Sequence, residues 1–90
     1  MQYQLALQRD RDRRIRETAI LQTRARFDAL TRREQEAFGL VTTGLMNKQV
    51  AGELGVSEIT AKVHRGSVMR KMGARSLADL VRMADALGIR

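Results

Sequence analysis

Lys62, Val63, Gly66 and Arg70 recur at the spacing that brings side chains to one side of a helix turning about 100° per residue, and Ile59 and Ser67 share that side. The stripe mixes small, cationic and hydroxyl groups, unlike the alternating acids and bases of an ordinary solvated face. Its chemistry suits the major groove of a double helix. An ammonium can donate to guanine O6 and N7, a valine can touch a thymine methyl, and a glycine lets the backbone come close to base edges. Lys62, Val63 and Gly66 are therefore the candidate base readers. Asn47, Lys48, Thr60, His64, Arg65 and Arg70 are candidates for the phosphate backbone. Thr60 packing against the preceding helix, and His64 as a satisfied structural histidine, are equally open readings.

The elements that must hold these side chains lie in N-K-Q-V-A-G-E-L-G-V-S-E-I-T-A-K-V-H-R-G, Asn47 to Gly66. Val50, Ala51 and Leu54 recur at helical spacing, Gly55 offers a left-handed stop, and Ser57 can cap a second helix over roughly Glu58 to Met72. This is a helix-turn-helix pattern. Ala51 is small where the second helix crosses close, Val50, Leu54, Val56 and Ala61 fill the angle between the helices, and Val68 and Met72 continue the inward face of Ala61, flanked by His64 and Arg65. Asn47 reads as the cap of the scaffold helix Lys48 to Leu54, whose amides and positive end could hold a phosphate.

Leu30 to Leu87 resembles the DNA-binding domain of LuxR/FixJ-type bacterial transcription regulators, the output half of many two-component response regulators. The residues carrying the resemblance are L-T-R-R-E at Leu30 to Glu34, G-L-M-N-K-Q-V-A at Gly44 to Ala51, L-G-V-S-E-I-T-A-K-V-H at Leu54 to His64, and V-M-R-K-M-G-A-R-S at Val68 to Ser76. The sequence departs from the family at Ala61, usually valine, and at Gly66, where some members carry a base-contacting lysine. The resemblance implies an all-α fold, a four-helix LuxR-type bundle preceded by a long N-terminal linker helix. It also implies double-stranded DNA as partner, with an inverted-repeat site, a homodimer on DNA, RNA polymerase as a candidate protein partner, and the bacterial cytoplasm as location. In the family the last helix supplies a dimer contact, which here falls on Ala78, Arg82 and Asp85.

Composition points the same way. The 90 residues carry a formal net charge of +7, which favours a polyanionic partner. Residues 1–30 contribute +3 and residues 31–90 contribute +4, and Ser57 to Arg75 alone reaches +4 with Glu58 as its single acid. There is no cysteine, hence no disulfide and no thiolate metal site, and no apolar run of membrane-spanning length. One histidine, no phosphate-cradling glycine loop and no paired carboxylates beside a nucleophile argue against an enzyme, a cofactor or a metal. Nothing suggests a membrane or a small-molecule ligand in this segment, and the alternating strands and acidic pocket of a receiver domain are absent. Two rival functions are weighed. A sigma-factor region four has a similar helix-turn-helix, but K-V-H-R-G-S-V-M-R-K-M favours the regulator. A helical protein-interaction module would leave the basic face of Ser57 to Arg75 unexplained.

The domain organisation expected is residues 1–29 as a helical linker and 30–90 as the DNA-binding domain, with the helix-turn-helix at 47–66. The first segment has no proline or glycine, and its apolar residues fall in two partial stripes that hold no heptad. It resembles the last receiver helix and linker of FixJ-type regulators, and a solvated tether is an equally open reading. Thr31 and Glu34 have the spacing of a capping box opening a helix that buries Ala37, Phe38, Leu40 and Val41. Leu77, Leu80, Val81, Ala84 and Leu87 line one face of a final helix that Gly88 ends.

Overall fold

The computed structural model describes residues 2–89, and these form five helices with no strand among them: α1 Gln2–Asp28, α2 Arg32–Thr42, α3 Asn47–Leu54, α4 Glu58–Met72 and α5 Leu77–Leu87. The chain is thus all-α, four helices gathered behind one long leading helix.

Short-range chemistry sets most of the boundaries. Thr31 Oγ1 accepts the Glu34 amide at 3.1 Å while Glu34 Oε1 accepts the Thr31 amide at 2.8 Å, the reciprocal pair that opens α2. Ser57 Oγ accepts the Thr60 amide and Ser76 Oγ the Asp79 amide, each at 3.1 Å, opening α4 and α5. Gly55 (φ 68°) and Gly73 (φ 70°) stop α3 and α4 in the left-handed region that L side chains avoid. The start of α3 differs from the sequence expectation. Asn47 is the first helical residue and Met46 stands at the cap, with its amide donating to Gln49 Oε1 at 2.9 Å. Gln49 reaches back from the third helical position to accept the Met46 amide, while Asn47 Oδ1 faces Arg65 Nη1 at 3.5 Å.

The amphipathic faces meet on α4, which packs against α1, α2 and α3. Ala37, Phe38, Val41, Val50, Ala61, Val68, Met72, Leu80 and Ala84 are buried essentially completely, so the inward stripe of Ala61, Val68 and Met72 is the centre of the core. Ala51 on α3 and Ala61 on α4 are both buried between the packed helices. Leu40 and Val81 are half-buried, and Leu77 is exposed. Leu77, as the first residue of α5, lies at the edge of the bundle and lines a groove with Leu45 and Met46.

From Ala6 to Gln22, α1 is exposed at every residue except half-buried Asp10. Its last turns are anchored. The Phe27 ring meets Phe38 edge-on at 5.2 Å, and the Phe27 carbonyl accepts Gln35 Nε2 at 3.1 Å. Arg24 Nη2 donates to the Leu87 carbonyl at 3.1 Å, and Arg26 Nη1 to the Met72 carbonyl at 3.0 Å. Each guanidinium thereby sits at the negative carbonyl end of a helix, α5 and α4 respectively. A β-carbon at Gly73 would push aside the Arg26 guanidinium, and the positive φ of 70° favours glycine there in any case. The projecting part of α1 accounts for the molecule's long dimension of 59 Å against 22 and 19 Å.

Candidate nucleic-acid interface

The outward side of α4 is open except at half-buried Ser67. Ile59 is 77% exposed and Val63 63%, Lys62, Gly66 and Arg70 are exposed, and a β-carbon built at Gly66 meets nothing within 4 Å. A glycine inside a helix costs roughly 1 kcal/mol relative to alanine, and no neighbour within this domain requires one there.

The candidate backbone contacts fall into two groups. Lys48 is exposed in the first turn of α3, where the leading amides point out of the helix end; beside it Asn47 and Arg65 are half-buried and close to each other. Arg70 is exposed and donates to Ser67 Oγ at 3.1 Å, which holds the guanidinium along the outer stripe. Thr60 is half-buried, and its Oγ1 accepts a hydrogen bond from Ser57 Oγ at 2.9 Å, so its hydroxyl takes part in the cap of α4. His64 is half-buried and has no hydrogen-bond partner among the described residues.

One feature escaped the sequence. Lys71 belongs to the basic run, yet its Nζ donates at 2.8 Å to Glu34 Oε1, a carboxylate only 4% exposed. The Lys71 ammonium, with the Thr31 amide behind it, holds the Glu34 carboxyl down at about 2 against an ordinary 4.5. One of the cations counted for the partner is thus spent inside the fold, tying the capping box of α2 to α4. Ile59, which helical spacing places on the outer stripe, is 77% exposed, more than Val63 on the same stripe.

On α5, Ala78, Arg82 and Asp85 are all exposed. Arg82 pairs with Asp79 and lines a cleft with Ala19, Ile20 and Thr23 of α1, so it stands on the α1 side of the helix. Asp79 accepts the Arg75 amide at 3.0 Å and, with the Arg82 pair, is held below the usual carboxylate range. Among the described residues no group of three or more histidine, cysteine or acidic side chains is placed to hold a metal, and no helix is long and apolar enough to cross a membrane.

This arrangement, a capped α3 laid across an α4 with a basic outer stripe, can be set against known proteins. A family model described as "Bacterial regulatory proteins, luxR family" matches residues 28–84. The chain belongs to the luxR family of bacterial regulatory proteins. It is 56% identical over 84 residues to nodulation protein W of Bradyrhizobium diazoefficiens, a match covering 93% of this chain and 37% of that protein. Among solved structures, the response regulator StyR superposes with a TM-score of 0.78 at 47% identity, covering 88% of this chain and 40% of that one. The C-terminal transcriptional activator domain of FixJ gives a TM-score of 0.67 at 47% identity over 76% of this chain and 86% of that domain. This luxR-family chain spans about a third of the length of the curated relatives it matches. Family membership makes its folded part a DNA-binding regulatory domain and not an enzyme.

Proposed function

We propose that this luxR-family chain is the output portion of a response regulator, binding specific double-stranded DNA in the bacterial cytoplasm through the outer stripe of α4. The observation that supports it best is the set of exposed residues Ile59, Lys62, Val63, Gly66 and Arg70 on one side of α4, with open space above Gly66. Lys62 donates to a guanine edge, Val63 meets a thymine methyl and Gly66 marks the closest approach. Lys48 and the leading amides of α3 take one phosphate, and Arg65, steadied by Asn47, takes another on the same flank. Arg70 holds a phosphate further along. Thr60 and His64 border the opposite flank. Residues 1–29 serve as the helical linker to whatever precedes them, and residues 30–90 as the DNA-binding domain. Two copies meet on an inverted repeat through α5, with Ala78 and Asp85 nearer the contact than Arg82. RNA polymerase is the further partner that a transcription regulator engages.

The test is to recover bound duplexes from a random pool and count the copies on each. The expected product is an inverted repeat that takes two copies, with a single half-site taking one. Recovery without sequence preference would refute the proposal, and independent occupancy of half-sites at any spacing would refute the dimer.

Substitutions separate reading from holding. Lys62→Ala is expected to cost about 1–3 kcal/mol on the recovered site and to relax preference at one base pair. Arg70 lies about two turns further on, so Arg70→Ala is expected to weaken cognate and scrambled duplexes by similar factors. It should also lower the salt slope by about one contact. Binding on both duplexes at two salt concentrations distinguishes them. Exchange of the two outcomes would mean that α4 is seated in the groove about a turn or more from this position.

A further inference from the structure

Ile59 is the most exposed of the large apolar side chains among the described residues, at 77%, and it stands in the first turn of α4 directly after the Ser57 cap. Val63, one turn on, is 63% exposed, and between them lies exposed Lys62. An apolar side chain left so open contributes nothing to the core. Both residues are β-branched, and such side chains are confined to few rotamers in a helix, so their methyl groups are presented in fixed positions. Ser57 fixes the start of the helix through its bond to the Thr60 amide, which fixes where Ile59 points. Four residues of helix rise about 6 Å. Two base-pair steps rise about 7 Å. The two branched side chains are therefore spaced to meet methyl groups two steps apart, with a cationic donor between them.

Resting on the DNA-binding reading above, we infer that Ile59 is a second specificity-determining residue, and that Ile59 and Val63 together read the 5-methyl groups of two thymines about two base pairs apart in each half-site. In the major groove the thymine methyl is the apolar feature of a base edge. The basic surroundings of Ile59, with Lys62 and Arg70 on the same stripe, match a polyanion better than an apolar protein surface.

Deoxyuridine differs from thymidine only by that methyl group and pairs identically. Each thymine of the recovered duplex is replaced singly by deoxyuridine, and binding is measured for the wild type, Ile59→Ala, Val63→Ala and Ile59→Leu. For the wild type, two positions per half-site are expected to lose about four-fold in affinity on losing the methyl. Ile59→Ala should remove the uridine effect at one of these positions only, Val63→Ala at the other only, and Ile59→Leu should retain part of it. Thermal unfolding of each variant is expected to match the wild type, because both side chains point away from the core. Normal sequence preference with no uridine effect anywhere, or with an effect that Ile59→Ala leaves unchanged, overturns this inference alone. Absence of sequence preference in the wild type overturns the DNA-reading proposal itself.

Discussion

Glu34→Ala is expected to lower the stability of the folded domain by about 2 kcal/mol at neutral pH, more than a change at any exposed position of the outer stripe. The Glu34 carboxylate is 4% exposed and accepts both the Lys71 ammonium and the Thr31 amide on Oε1, each at 2.8 Å. Alanine leaves both donors without an acceptor. Lys71 retains 41% of its side-chain exposure, so water compensates part of the loss and keeps the cost below that of a fully enclosed pair. Glu34→Gln separates charge from shape, since the amide oxygen still accepts while the negative charge is gone. The folded-state value near 2 lies below the ordinary 4.5, so the folded protein holds the proton less tightly than the unfolded chain does. The stabilisation is fully present above pH 4.5 and is lost as the pH falls toward 2. The gap between the wild type and Glu34→Gln in urea unfolding should therefore be widest at neutral pH and should close in acid. Asp79, also held below its usual range, titrates alike in both proteins and cancels from this difference. A gap of equal size at pH 7 and in strong acid would show that the carboxylate charge has no part in holding α2 to α4.

That pair marks where the sequence stopped being informative. Thr31 and Glu34 are three residues apart, so a capping box could be read from spacing, and Gly55 and Ser57 announced the turn of the helix-turn-helix for the same local reason. The outer stripe of α4 was legible because a single period of about 3.6 residues decides which side chains lie together. Lys71 meets Glu34 across 37 residues of chain, and no local pattern distinguishes a lysine directed into the bundle from one facing solvent. Arg24 and Arg26 likewise looked like members of a charged tether, and only the packing of α1 brings them to the carbonyl ends of α5 and α4. Asn47 failed for a subtler reason. Its residue type favours a cap, but α3 begins one residue earlier, with Met46 at the cap and its amide bonded to Gln49. Ile59 was visible on the stripe, and its 77% exposure in the fold sets it apart from a core residue.

The loss of Lys71 to the fold also sets the size of the salt effect. Raising monovalent salt from roughly 50 to 200 mM is expected to weaken binding about 40-fold per domain, and roughly 2,000-fold for two domains on one inverted repeat. The reasoning starts from the cations assigned to phosphate, Lys48, Arg65 and Arg70, none of which has a carboxylate partner among the described residues. Each phosphate so neutralised releases condensed counterions worth a slope of about 0.9 in log affinity against log salt, giving about −2.7 for one domain and twice that for a pair. On α1, Arg13 and Arg14 are paired with Asp10, and no cation of that helix is assigned to phosphate, so the figure counts none of them. Fluorescence anisotropy across a salt series, on a half-site and on the full repeat, reads both slopes directly. A flat response would remove phosphate contact from the mechanism altogether. A half-site slope near −2.7 that failed to double on the full repeat would mean that only one of the two copies lies down on the groove, and the pairing through α5 would have to be abandoned.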